Sequence, residues 1–176
     1  MKKVKFLSIF ILILLSVIFH FTYEKIPNFI TSILFPVNES IWEHMKIIAT
    51  PILFYMIIEY LIFKKANIKY NNFLLAHSIS IIISIFVYLI IYLPIDLFFG
   101  HNLIVSIILL VLVFMLSQII SYYIEKSKHF KNSNLIGLIL FLIIYFVFLI
   151  FTYYPPRINL FYDTLNLKYG INIYTL

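Results

Sequence analysis

Five uninterrupted apolar stretches, residues 6–23, 47–63, 73–93, 103–124 and 135–154, constrain this chain more than any other feature. Each is close to the ~20 residues that carry an α-helix across a hydrocarbon core of about 30 Å. Lipid offers no water to backbone N–H and C=O groups, so such stretches must close their hydrogen bonds internally, as helices. The expectation is an all-α, polytopic helical membrane bundle of about five transmembrane helices, forming one integral membrane domain over residues 1–176. A soluble fold does not fit: 64% of the residues are hydrophobic and only 11% are charged, against about a quarter charged in soluble domains. The three glycines include no Gly-x-x-x-Gly pair, so close glycine-mediated helix crossings are not expected. With no cysteine, disulfides and thiolate chemistry are excluded.

Lysines give the bundle a direction. Lys2, Lys3 and Lys5 precede the first stretch, Lys64, Lys65 and Lys69 follow the second, and Lys126, Lys128 and Lys131 follow the fourth. The alternate loops and the tail hold only Lys25, Lys46, Arg157 and Lys168. The positive-inside rule then puts the amino terminus in the cytoplasm and the carboxyl terminus outside, in a multi-pass protein of the cell membrane. The net charge of +6 is accounted for by this orientation, so the expected partner is the lipid bilayer and not nucleic acid. The first stretch lacks a small-x-small cleavage site and runs into Thr22-Tyr23-Glu24-Lys25, which reads as a retained anchor. Residues 30–37 are too few to span and read as an interfacial or re-entrant piece. Pro51 should kink the second span by freeing the carbonyl of Ile47.

Five of the seven carboxylates fall on the outward side: Glu24, Glu39, Glu43, Asp96 and Asp163. Read as a helix, residues 39–50 place Glu39, Glu43, Lys46 and Thr50 on one stripe beside Trp42. Ser40 and His44 then lie roughly a right angle away. Two carboxylates one turn apart repel, so in a dry site one would keep its proton. With an adjacent imidazole they could perform acid–base chemistry, or bind a metal together with Asp163 or His101. The candidate catalytic residues are therefore Glu39, Glu43, His44 and Asp163. Asn38, Trp42, Lys46, Asp96, His101, Arg157 and Tyr169 are candidate binding residues on the same side. The same motif also reads as a helix entry, with Ser40-Ile41-Trp42-Glu43 as a capping box, Glu43 favoured by the helix dipole and paired with Lys46, and Trp42 an interfacial anchor. No metalloprotease, phosphate-loop, nucleophile-elbow or dinucleotide fingerprint occurs, and cofactor and metal are left unassigned.

A second polar group lies within the spans toward the lysine-rich side: Glu59 and His77, with Ser80 on the His77 face and Gln118 at similar depth on the fourth span. Ionisable groups at such depth face protein or water and find partners. Helix–helix hydrogen bonds, a proton-linked path, or snorkelling of Glu59 toward Lys64 would each account for it.

The run Pro36-Val37-Asn38-Glu39-Ser40-Ile41-Trp42-Glu43-His44-Met45-Lys46 resembles the hallmark of a family of small, uncharacterised prokaryotic multi-pass membrane proteins. The ending Tyr154-Pro155-Pro156, Phe161, Asp163 and Tyr169-Gly170-Ile171 is similar to that family's tail. The resemblance implies a membrane protein of unknown function in which Asn38, Glu39, Trp42, Glu43, His44 and Asp163 act together. A fainter likeness is to the membrane hydrolase superfamily of the ceramidases and progestin-type receptors, whose sites combine Ser, His and Asp around zinc. The histidine pair expected in a late span there is missing, since the fourth and fifth stretches contain no histidine. Three functions follow as expectations. The first is a membrane-embedded enzyme acting on a lipid or lipid-linked substrate at the outer face. The others are a non-catalytic module binding a lipid, solute or partner membrane protein, and a small transporter component using Glu59 and His77.

Overall fold

The computed structural model describes residues 1–100 and 102–171. Its helices are α1 (Lys2–His20), α2 (Thr22–Lys25), α3 (Phe29–Leu34), α4 (Ile41–Lys65), α5 (Phe73–Phe99), α6 (Leu103–Lys126) and α7 (Ser133–Tyr153). Five of them, α1, α4, α5, α6 and α7, are long and apolar enough to cross a membrane, so the helical bundle expected from hydropathy is the fold. The tail adds a 3-10 turn, Asn159–Phe161, and a short antiparallel pair, β1 (Tyr162–Asp163) and β2 (Lys168–Tyr169).

α4 and α5 extend furthest past their apolar stretches. α4 begins at Ile41 and not at 47, because the Ser40 hydroxyl accepts from the Glu43 amide and caps it there. α5 continues through Pro94 to Phe99, and Pro51 likewise lies inside α4 without ending it. Membrane helices tolerate internal proline because neighbouring groups take up the freed backbone positions. Residues 29–34 form α3, capped by a reciprocal Asn28–Thr31 box. Six residues rise only about 9 Å, too little to cross the hydrocarbon core.

α5 packs against α6, α7 and α4, while α1 packs against α4 and α6. Leu12, Met45, Ile52, Tyr55, Ile81 and Phe114 are fully buried between them. Outward faces stay apolar: Leu14, Ile57, Phe86, Ile90, Leu112 and Leu142 are all well exposed, as lipid-facing side chains would be. The α5–α7 crossing corrects the expectation drawn from the missing glycine pair. A single glycine, Gly137, lies so close to α5 that an added Cβ would strike the backbone of Leu74 and Leu75. One end of the bundle carries Lys64, Lys65 and Lys126 at helix ends. The opposite, motif end gathers the end of α1, the starts of α4 and α6, α3 and the tail.

Candidate functional site

At the motif end a cavity of about 350 Å³ lies between α1, α4, α5 and α6. Its walls include the apolar Ile47, Ile48 and Leu110 and the ring faces of Tyr88 and Tyr92, which stack with centroids 5.2 Å apart. Val17 and Phe21 at the end of α1 and Leu103 and Ile107 at the start of α6 also line it. These four are each about half exposed or more, so the mouth opens between α1 and α6 onto the apolar exterior. One carboxylate and two imidazoles share this cavity: Glu39, His20 and His44. Glu39 Oε2 lies 3.4 Å from His44 Nε2 and 3.6 Å from His20 Nε2, and the two imidazole rings meet edge to face at 5.3 Å. A hydrogen bond with His44 holds the Glu39 carboxyl below its ordinary value, against the opposing effect of burial.

This grouping differs from the helical stripes expected of the motif. Ser40 is the N-cap, so Glu39 precedes the helix and the 100° wheel does not apply to it. It turns toward His44, while Glu43 faces the other way. There Glu43 Oε2 accepts from Lys46 Nζ at 2.6 Å and from the Val37 amide at 3.1 Å, and Oε1 accepts from the Thr152 hydroxyl at 2.8 Å. Lys46 Nζ also donates to Thr152 Oγ1 and the Ser32 carbonyl, each at 2.7 Å. Both charges are buried, and their valences are filled by α7 and α3. Of the capping box only the Ser40 half forms, because the Glu43 carboxylate is taken by these partners.

Asp163, placed in sequence with the candidate catalytic groups, is also buried and saturated. Its Oδ2 accepts from the Glu39 amide at 3.0 Å and from Asn166 Nδ2 at 2.9 Å, and Oδ1 accepts from the Leu165 and Asn166 amides at 2.9 Å. Burial raises its pKa, but these donors, led by Asn166, outweigh that and hold the carboxyl below its ordinary value. Asn38 binds the tail as well, donating to the Gly170 carbonyl at 3.0 Å and accepting from the Ser40 amide at 2.9 Å. Trp42 packs against Phe148, Phe151 and Phe161. Tyr169 packs at a tilt against Tyr162 across the hairpin, and Arg157 is exposed. Asp96 lies beside Tyr92 on the last turn of α5, and His101 is outside the described residues. The motif and tail thus divide into Glu39 and His44, which meet His20 of α1 at the cavity, and Asn38, Trp42, Glu43, Lys46 and Asp163, whose polar or ring contacts join the motif to α3, α7 and the tail.

His20 was not singled out in the sequence. A signal existed: Lys5, Ser8, Ser16 and His20 recur at helical spacing on an otherwise apolar stretch, and the first three are buried.

The same stripe leads to the other polar group. Lys5 Nζ donates to Glu59 Oε2 and Glu125 Oε1 at 2.8 Å each, and to Ser121 Oγ at 2.9 Å. His77 Nε2 is 3.0 Å from Glu59 Oε2 and 3.4 Å from Glu125 Oε1. All of these side chains are buried. Glu59 therefore does not snorkel toward Lys64, and Lys5 is not a headgroup cation. Ser80 and Gln118 stay aside: the Ser80 hydroxyl donates to the His77 carbonyl within its own helix, and Gln118 Nε2 donates to Ser117.

A family model describing a family of unknown function (DUF6512) matches residues 1–171. No curated protein and no solved structure matches the chain.

Proposed function

The chain belongs to that family of unknown function, and from its own geometry we propose that it is a membrane-embedded enzyme acting on a lipid or lipid-linked substrate. One observation carries this reading. Glu39, His44 and His20 converge at a largely apolar cavity, whose mouth is bordered by exposed apolar side chains of α1 and α6. A volume of about 350 Å³ is at the small end of ligand pockets and accommodates a headgroup with the first part of an acyl chain. A substrate arriving sideways between α1 and α6 would bring its polar linkage to the carboxylate–imidazole cluster while its chain stays in the bilayer. Glu39 is placed to act as base and His44 as its proton-exchange partner, over distances a bound substrate would tighten. The lysine distribution supports placing this end on the outer face of a prokaryotic cell membrane.

The test is lipid chemistry. Cells producing wild type, Glu39→Gln, His44→Gln or Lys168→Ala are compared by lipid mass spectrometry, with protein levels matched. A substrate–product pair that changes with wild type and Lys168→Ala, and returns to the empty-vector level in the other two, is expected. Identical profiles for all four would overturn the reading and favour a binding module.

A further inference from the structure

We propose that His20 Nε2, His44 Nε2 and a carboxylate oxygen of Glu39 bind one divalent transition-metal ion, Zn²⁺ by ligand type, with the remaining coordination position open to the cavity. The proposal rests on the reading of this cluster as a reaction site but changes the parts its residues play: with the ion bound, Glu39 and His44 would be ligands, and the proton exchange assigned to them above would pass to a metal-bound water.

The first supporting observation is metric. Tetrahedral ligands at about 2.0–2.2 Å from a metal lie ~3.3–3.6 Å from one another. Glu39 Oε2 is 3.4 Å from one imidazole nitrogen and 3.6 Å from the other, and one ligand atom from each of the three residues falls within 4.8 Å of the others. The second is the state of His44. Its Nδ1 is 2.8 Å from the Ser40 carbonyl oxygen, a contact that requires the hydrogen on Nδ1. With Nδ1 so engaged, Nε2 is the nitrogen left facing the Glu39 carboxylate: as imidazolium it donates the hydrogen bond described above, and on losing that proton it offers the same oxygen's neighbourhood a lone pair that a cation would take up. A carbonyl on the far nitrogen is also the usual way a protein orients a ligating imidazole. A proton could bridge one such pair, but here a second imidazole converges on the same oxygen, and three donors around one point suit a metal.

The inner cluster supplies a contrast. Glu59, His77 and Glu125 also converge within metal-ligand reach. Their shared cation is already part of the chain, because Lys5 Nζ sits 2.8 Å from both carboxylates. No such ammonium reaches Glu39: its ion-pair partners among the described residues are the two histidines. Two imidazoles and one carboxylate suit zinc, and an open fourth position is the mark of a reactive site and not a structural one. The open side here is the apolar cavity, so a metal-bound water would stand where the substrate's linkage arrives.

The experiment uses purified full-length protein in detergent, freed of any affinity tag, stripped with chelator and reloaded with Zn²⁺ or Co²⁺. One ion per chain is expected by elemental analysis, together with the visible absorption of tetrahedral Co²⁺. His20→Ala and His44→Ala should weaken binding by more than the roughly 10–100-fold that loss of an outer-shell partner costs, whereas His129→Ala, in an exposed loop, should bind like wild type. Should the alanine variants not fold, His20→Cys keeps a ligand and should add a thiolate-to-Co²⁺ band to a chain that has no other cysteine. Wild type that takes up neither ion, or a folded His20→Cys that binds Co²⁺ without the thiolate band, would overturn the proposal. Metal without lipid turnover would uphold it and remove the enzymatic reading; turnover by metal-free protein would do the reverse.

Discussion

Lys46 shows at the residue scale what holds the motif end together. Its ammonium is fully buried beside Glu43, with Thr152 and two carbonyl oxygens as further acceptors. Removing one member of a buried pair leaves the other charged and unpaired, at a cost of ~3–5 kcal/mol. Lys46→Met should therefore lower thermal stability in detergent sharply, and adding Glu43→Gln should recover part of the loss. Equal melting temperatures for wild type and Lys46→Met would contradict the pairing. Asp163 makes a pH-dependent prediction. Its folded carboxyl is lowered from an ordinary value of 3.8, so its contribution is complete above that value and is lost as pH falls through the lower folded value. Limited proteolysis should find the tail docked from neutral pH down to mild acid in wild type. Asp163→Ala should be cleaved in the tail at neutral pH, because four donors lose their acceptor. Much of this detail was beyond the sequence for definite reasons. Glu43 and Lys46 could be paired by helical spacing, but Glu39 lies before the helix, where no fixed rotation relates it to its neighbours. The partners of Asp163 are mostly amides of its own loop and of Glu39, which spacing does not reveal.

At the scale of elements, helices are held by two devices that hydropathy does not register. Gly137 lets α7 rest on the backbone of α5 at Leu74 and Leu75. Gly137→Ala should force that crossing apart and lower thermal stability, whereas Gly100→Ala meets no neighbour and carries only the strain of its positive φ. Lys5 joins α1 to α4 and α6 through Glu59, Glu125 and Ser121. Lys5→Met should consequently destabilise far more than Lys3→Met, since Lys3 is exposed; similar melting temperatures for the two would dismiss the network. The five long helices were legible because length and hydropathy are local properties. Which helix faces which was not. Lys5 and Glu125 read as end-of-span charges until α1, α4 and α6 are seen side by side, and His20 acquires a role only once α1 is known to stand beside the start of α4.

For the whole molecule, the account joins an orientation to a direction of approach. A chain without cysteine can take single probes, so Asn166→Cys should react with a membrane-impermeant maleimide in intact cells and Lys65→Cys only after permeabilisation. The reverse pattern would turn the proposed outer face inward. A bulky side chain at the mouth, Ile107→Trp, should slow entry of long-chain substrates while leaving the cluster intact. The central claim is that Glu39, His44 and His20 work as one centre at the end of this lipid-facing cavity. Turnover of the identified lipid, measured for wild type, Glu39→Gln, His44→Gln and the double variant in reconstituted vesicles, tests it most directly. Groups that act as a unit are non-additive, so the double variant should be no slower than the slower single one. Losses that multiply would mean that the two side chains act independently, and the single centre would have to be given up.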